Sequence, residues 1–120
     1  MRPTIRTKRV YLPPEPEDGY RVLVDRLWPR GLRKVHLQVD LWLRDIAPSN
    51  ELRKWFNHDP AKWEEFKRRY WRELAERHER IEQLLTIAAT HRLTLLYSAR
   101  DPDHNQAVAL KEYLLRRSDR

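Results

Sequence analysis

Two short hydrophobic runs end abruptly in polar sequence, and they organise the prediction of the fold. Val22–Val24 is followed at once by the mixed charges of Asp25–Gly31, and Leu93–Tyr97 is followed by Ser98–His104. Uninterrupted apolar runs are typical of parallel strands that are buried on both faces of a sheet. The loops after such strands often lie at the ligand-binding edge of α/β proteins. The pattern therefore predicts two central strands whose following loops form one candidate site.

A long amphipathic pattern occupies the middle of the chain. From Trp63 to Ala88, apolar residues recur every three or four positions, which indicates a helical face that packs on a core. One unbroken helix over 60–90 would be about 45 Å long, more than the width of a domain of this size. We therefore expect a break near Ala75–Glu79. The helix is predicted to start at Asp59-Pro60, because Asp is a favoured N-cap and Pro is tolerated at the first helical position.

Shorter elements follow from weaker signals. Thr4–Leu12 is predicted as an edge strand from its β-branched and aromatic residues, and Pro13–Gly19 as a turn from its prolines and glycine. Strand-like alternation and a helical pattern compete in Leu37–Ile46, where we favour a helix from about Asp40. Together with the two central strands, these elements indicate an α/β fold.

Two further helices are predicted from their capping residues. Ser49, followed closely by Glu51, indicates a short helix that ends near His58. Asp101-Pro102 repeats the start signal of the long helix, and it predicts that the last helix begins there.

Length and composition limit the class of protein. The 120 residues are enough for one domain, which we expect to span residues 1–120. There is no cysteine, which excludes thiol nucleophiles, disulfides and thiolate metal sites. No apolar stretch approaches the ~20 residues needed to cross a bilayer, and the start of the chain lacks a hydrophobic leader. We therefore expect a cytoplasmic protein without a membrane partner.

The positive charge is concentrated in the first third of the chain. The net charge is +7, and residues 1–36 hold nine Arg and Lys against four Asp and Glu. A basic surface near the candidate site would attract phosphates or nucleic acid. The alternative explanation is compositional, since a bias towards arginine also accompanies heat adaptation or coding bias. Both explanations stay open at this point.

The candidate site combines acid–base and anion-binding residue types. A desolvated Asp25 at the end of a strand could act as a general base, with His104 as the acid or orienting partner. Arginines can hold a phosphate or carboxylate in bidentate fashion, Ser98 can donate a hydrogen bond, and Trp28 can stack on a base or sugar. The candidate ligand-binding residues are Arg26, Trp28, Arg30, Ser98, Arg100 and Asn105.

Structural roles compete with each of these functional roles. The structural alternative for Asp25 is an ion pair with Arg26, Arg30 or Arg100. Asp101 is better explained as a helix cap than as a catalyst. The other tryptophans are better explained as core residues or as a dimer contact, and they are Trp42, Trp55, Trp63 and Trp71. His, Asp and Glu show no recognised metal-ligand spacing, so we expect neither a metal nor a cofactor.

Several long segments resemble the YeaO-like family, bacterial proteins of the domain-of-unknown-function group 488. The matching segments are Lys8–Tyr11, Asp18–Gly31, Ile46–Ser49, Leu52–Pro60, Leu95–Asp101 and His104-Asn105. The resemblance implies a small Rossmann-like domain with a mostly parallel sheet of three to four strands and flanking helices. Many members of the wider group carry a Cys-His-Arg cluster where this chain has Asn105-Gln106-Ala107, so the chain departs from the pattern there.

Three function hypotheses follow. The favoured one is a small hydrolase or transferase that acts on a phosphate-bearing or nucleotide-like ligand, with Asp25 as base. The second is a non-catalytic module that binds nucleotide or nucleic acid through the same basic residues. The third is an interaction protein that forms a homodimer through aromatic helix surfaces. The first is preferred because an acid and a base beside anion donors exceed what binding alone requires.

Overall fold

The computed structural model describes residues 3–119, which form a four-stranded sheet with helices on its faces. The strands are β1 (Ile5–Arg9), β2 (Tyr20–Leu23), β3 (Leu41–Trp42) and β4 (Leu93–Tyr97). The α-helices are α1 (Lys34–Leu37), α2 (Asn50–Phe56), α3 (Trp63–Ala75), α4 (His78–Thr90) and α5 (Gln106–Ser118). Short 3₁₀ turns occupy Pro16–Asp18, Arg44–Ile46 and Pro60–Lys62. Within residues 3–119, no helix has both the length and the apolar character required to span a membrane.

All strand pairs in the sheet are parallel, in the order β1-β4-β2-β3. The two apolar runs form the central neighbours, with Val22 opposite Leu95. Strand β1 lies at one edge, as predicted for Thr4–Leu12. The predicted α/β class with a mostly parallel, Rossmann-like sheet is confirmed.

Each central strand contributes to two apolar clusters because its side chains alternate between the faces of the sheet. Val22 and Val24 pack in the main core, which α2 to α5 cover. Leu23 lies in a smaller cluster on the other face, together with Leu37 and Leu96. The segment between β2 and β3 covers this smaller cluster and so has a packing role of its own.

The long amphipathic pattern forms two helices, as predicted. Helix α3 ends at Ala75 and α4 begins at His78, so the break falls inside the predicted window. The short helix α2 is also confirmed, because the Ser49 hydroxyl accepts a hydrogen bond from the Leu52 N–H at 3.2 Å. Asp59 caps the 3₁₀ turn that leads into α3.

The predicted helix from Asp40 is wrong, because this stretch joins the sheet as β3. The Asp40 N–H donates to the Arg21 carbonyl at 2.9 Å, and the Asp40 carboxylate accepts from the Arg21 N–H at 2.8 Å. The Leu43 N–H donates to the Leu23 carbonyl at 3.0 Å. Pairing with β2 thus overrides the local helical pattern.

The start of the last helix is also corrected, from Asp101-Pro102 to Gln106. The Asp101 carboxylate accepts hydrogen bonds from the N–H groups of Asp103 and His104, and so it stabilises a separate turn. Asn105 is the actual N-cap, because its side-chain oxygen accepts from the Val108 N–H at 3.1 Å.

A buried charged cluster lies on the face of the smaller apolar cluster. The Asp18 carboxylate is fully buried and accepts hydrogen bonds from the Lys8 ammonium at 3.1 Å and from the Arg21 guanidinium. The Glu15 N–H donates to the same carboxylate at 3.0 Å, and the Thr94 hydroxyl donates to the Asp18 carbonyl at 2.6 Å. Burial alone would raise the pKa of Asp18, but these donors outweigh burial and lower it. The cluster therefore joins β1 and β2 through paired charges and β4 through a neutral hydrogen bond.

Candidate functional site

Asp25 joins the ends of the two central strands, which is the arrangement that the sequence predicted. Because β2 and β4 are parallel neighbours, the residues after them meet at one edge of the sheet. One Asp25 carboxylate oxygen accepts from the Ser98 N–H at 3.0 Å and from the Ser98 hydroxyl at 2.6 Å. The other oxygen accepts from the side-chain amide of Gln106 at the start of α5. We call this edge the strand-end edge, and it is formed by the loops after β1, β2 and β4, which are residues 10–15, 24–33 and 98–105.

All the hydrogen-bond partners found for Asp25 are neutral. The side chain is 7% exposed, and burial raises its pKa, while the hydrogen bonds from Ser98 and Gln106 partly oppose that rise. The proposed ion pair with an arginine of the two loops is not formed within the described chain. A carboxylate without a cation in contact is costly to keep charged when it is buried. Asp25 is therefore a buried acid that neutral donors fix in place.

The three predicted anion-binding arginines are exposed. Arg26 and Arg30 lie in the loop after β2, and Arg100 lies in the loop after β4. None of the three guanidinium groups has a carboxylate partner or a side-chain hydrogen bond among residues 3–119. The strand-end edge therefore presents positive charge that the protein does not neutralise locally.

Trp28 is a half-buried residue of the smaller apolar cluster. Its ring packs edge-on against Trp42, with the ring centroids 5.4 Å apart. Its indole N–H donates to the Leu32 carbonyl at 2.7 Å. Trp42 in turn donates to the Asp25 carbonyl at 2.8 Å. The ring of Trp28 therefore supports the loop behind the arginines, and stacking of a ligand on it stays a prediction.

His104 pairs with Asp101, and no hydrogen bond links it to Asp25. Its Nδ1 lies 2.8 Å from the Asp101 carboxylate, and its ring meets the edge of Trp63 at a centroid distance of 5.3 Å. Hydrogen bonds from the Asp103 N–H and from His104 lower the pKa of Asp101. Asp25 and His104 thus belong to separate hydrogen-bond groups, and a joint catalytic role stays a prediction.

Ser98 and Asn105 already have intramolecular partners. The Ser98 hydroxyl donates to Asp25, and the side-chain amide of Asn105 donates to the Asp101 carbonyl at 2.9 Å. Asn105 is only 2% exposed. A ligand-binding role for either residue stays a prediction. Gln106, which reaches Asp25, was missed because the contact joins residues that are far apart in the sequence.

The tryptophans of the helices are half-buried against the main core. This agrees with the predicted alternative of a core role. Trp55, Trp63 and Trp71 pack against that core. Cations cover their rings, with Arg69 at 4.1 Å from the ring centroid of Trp55 and Lys67 at 5.5 Å from that of Trp63. The alternative of a dimer contact stays a prediction.

Two clefts of the described chain lie away from the strand-end edge. A cleft of about 540 Å³ is lined by Trp71, Tyr113, Arg116 and Arg117. Another, of about 390 Å³, is lined mainly by the end of α4 and by His91 and Arg92, which precede β4. Across residues 3–119 no group of three His, Asp or Glu side chains is placed to hold a metal ion. The strand-end edge therefore presents exposed arginines next to a buried carboxylate.

Comparison with known families identifies the chain. A family model described as the inactive DUF488-N3 subclade matches residues 4–120. The chain belongs to the DUF488 family. The predicted resemblance to YeaO-like proteins is thereby confirmed, and the match covers every strand and helix of this DUF488 protein.

Two relatives of this DUF488 protein are described as uncharacterized proteins. The uncharacterized protein YeaO of Escherichia coli strain K12 is 46% identical over 110 residues, which cover 92% of this chain and 96% of that protein. The uncharacterized protein Rv3073c of Mycobacterium tuberculosis strain H37Rv is 51% identical over 70 residues, which cover 58% of this chain and 59% of that protein. No solved structure matches the chain.

Proposed function

We propose that this DUF488 protein is a non-catalytic module that binds nucleic acid through the strand-end edge. One observation carries the proposal: three exposed arginines that have no partner among residues 3–119 lie in the loops after β2 and β4, where neutral donors hold Asp25. Unneutralised cations favour a polyanionic ligand, because phosphate contacts release counterions from nucleic acid.

The hydrogen bonds of Asp25 favour binding over chemistry. A general base needs a free lone pair within hydrogen-bond reach of the proton that it removes. Ser98 and Gln106 take up three of the roughly four lone-pair sites of the Asp25 carboxylate, and only 7% of the residue is exposed. The carboxylate is therefore better suited to link the two strands and α5 by hydrogen bonds than to act as a base.

The positions of the two clefts favour an extended ligand over a small nucleotide at this edge. Small molecules usually bind in concave sites that bury most of their surface. Both clefts are lined by residues outside the strand-end loops. A nucleic-acid backbone needs no such enclosure, since exposed arginines can contact successive phosphates.

The description of the matching family model also supports a binding role. That model is named as an inactive subclade, and we extend the description to this chain. By the resemblance described above, the Cys-His-Arg cluster that many members of the wider group carry corresponds to Asn105–Ala107 here. In this chain Asn105 caps α5 and Gln106 holds Asp25, so these side chains have structural contacts.

Fluorescence anisotropy with a labelled oligothymidylate of roughly 20 nucleotides tests the proposal. The variant with Arg26, Arg30 and Arg100 replaced by Gln should bind about tenfold or more weakly, because three phosphate contacts are lost. A matched variant replaces three exposed cations outside the strand-end loops, Lys54, Arg72 and Arg92, by Gln. It should bind within about threefold of the wild type. Equal losses in the two variants would contradict a localised site.

The hydrolase or transferase hypothesis is the second candidate, and burial of Asp25 favours it. Burial raises the pKa of Asp25, and catalytic acids and bases often have shifted pKa values. On this hypothesis Asp25→Asn abolishes turnover of a phosphate-bearing substrate while the protein stays folded. On the binding hypothesis the same variant retains affinity for the oligonucleotide.

A further inference from the structure

Tyr11 is an aromatic side chain at the strand-end edge that none of the roles above uses. It follows β1, and its hydroxyl donates to the Arg30 carbonyl at 3.0 Å. The Arg9 guanidinium lies over its ring, 4.8 Å from the centroid, and donates from Nε to the Ala99 carbonyl at 3.1 Å. Tyr11 is thus held between the loop after β2 and the loop after β4.

The ring is fixed in place and yet accessible. Tyr11 is 42% exposed, although its hydroxyl is anchored and a guanidinium covers part of the ring. A ring held in this way loses little conformational freedom when a second ring stacks on it. Arg30, whose carbonyl anchors Tyr11, also carries one of the unpaired guanidinium groups.

We propose that Tyr11 is a base-stacking residue and that the nucleic acid bound at this edge is single-stranded. The inference rests on the proposed function, since the arginines supply the phosphate contacts. In a duplex the faces of the bases are stacked on each other, whereas an unpaired base presents a free face to an aromatic ring. An exposed aromatic ring beside unpaired arginines is the combination with which proteins bind single strands.

Binding of labelled single strands and duplexes, each roughly 20 nucleotides long, tests the inference by anisotropy. Tyr11→Ala should weaken single-strand binding about tenfold, which is within the range for loss of one stacked base. It should change duplex binding by less than about twofold, because no phosphate contact is removed. Tyr11→Phe keeps the ring and should stay within about threefold of the wild type on the single strand.

Leu12→Ala is the matched control, because Leu12 is the neighbouring exposed residue, at 53% exposure, and has no aromatic face. It should leave single-strand affinity within about twofold. If Tyr11→Ala has no larger effect than Leu12→Ala, or weakens duplex and single strand equally, stacking on Tyr11 is refuted. In that case the proposed function survives, provided that the arginine variant still loses binding. If the wild type binds neither probe, both proposals fail.

Photo-crosslinking of the wild-type protein gives a second reading that does not depend on any variant folding. A single strand that carries 5-iododeoxyuridine is irradiated in the complex, and the adduct is mapped by mass spectrometry. An adduct on the peptide that contains Tyr11 supports stacking there. Adducts found only on peptides away from the strand-end edge would overturn it.

Discussion

Asp18 and Asp25 are both buried carboxylates beside strand β2, but their partners differ in charge. Asp18 accepts from the cations of Lys8 and Arg21, and the hydrogen bonds outweigh burial and lower its pKa. Asp25 accepts only from the neutral donors of Ser98 and Gln106, and burial raises its pKa. The first carboxylate neutralises buried cations, whereas the second leaves the nearby arginines unneutralised at the surface.

The difference separates a structural charge cluster from a surface available to a ligand. In the Asp18 cluster the charges are paired with one another inside the fold. Its cations are therefore not available to contact a polyanion. At the strand-end edge Arg26, Arg30 and Arg100 keep their charge, because Asp25 is satisfied without them. The charge of the groups that hydrogen-bond to a buried carboxylate therefore indicates its role better than its burial does.

The largest expected effect is the loss of stability in Asp18→Asn. The variant leaves the cation of Arg21 buried without a carboxylate partner, and it leaves Lys8 paired only with the exposed Glu15. Removing one member of a buried ion pair costs about 3–5 kcal/mol, and chemical denaturation measures this loss. Asp45→Asn is the control, because Asp45 pairs with Arg80 at the exposed surface and should cost about 1 kcal/mol or less. Similar losses in both variants would mean that the cluster is not a buried charge network.

A smaller loss is expected at Asp25, because no cation is left unpaired there. Asp25→Ala removes the acceptor for three hydrogen bonds and should cost about 2 kcal/mol. Asp25→Asn keeps an oxygen for Ser98 and should cost about 1 kcal/mol or less. Denaturation of both variants at neutral pH measures the difference. A loss in Asp25→Asn as large as that in Asp18→Asn would show that charge also matters at Asp25.

The two aspartates should respond to pH in opposite directions. The lowered pKa of Asp18 means that its stabilisation is present above its unfolded pKa and is lost as the pH falls through its folded value. The raised pKa of Asp25 means that the folded state holds its proton more tightly. The free energy of unfolding therefore falls as the pH rises from the unfolded pKa of Asp25, about 3.9, through its folded pKa.

Difference curves against each Asn variant measure these responses in the acid range. As the pH rises, the stability of Asp25→Asn should increase relative to the wild type, and that of Asp18→Asn should decrease. If the relative stability of both variants changed with pH in the same direction, the two carboxylates would not lie in opposite electrostatic environments.

The smallest effect on stability is expected from the surface arginines. Replacing Arg26, Arg30 and Arg100 by Gln should change the free energy of unfolding by about 0.5 kcal/mol or less for each residue, because none of their guanidinium groups has a partner among residues 3–119. Chemical denaturation of the triple variant measures this change. A loss of several kcal/mol would show that these side chains stabilise the fold.

The sequence predicted the sheet centre and the strand-end edge because their signals are local. Val22–Val24 and Leu93–Tyr97 are continuous apolar runs, and each is followed by the polar residues that meet at the edge. The break between α3 and α4 was also predictable, since an unbroken helix would be too long for the domain.

Features that depend on contacts distant in sequence were missed. Strand β3 has only two residues and is stabilised by pairing with β2, so its local pattern indicated a helix instead. The Gln106 contact with Asp25 and the Asp18 cluster join segments that only the folded sheet brings together. The arginines were identified correctly as strand-end residues, but the proposed ion pair with Asp25 was not, because neutral donors already occupy the carboxylate.

The dependence of single-strand affinity on salt is the most direct measurement of whether the strand-end edge binds a polyanion. The logarithm of the association constant should fall linearly with the logarithm of the salt concentration. For the variant with Arg26, Arg30 and Arg100 replaced by Gln, the slope should be shallower by about 2, since each phosphate contact on a single strand contributes about 0.7. Identical slopes for wild type and variant would show that these arginines contact no phosphate, and the proposed function would then be wrong.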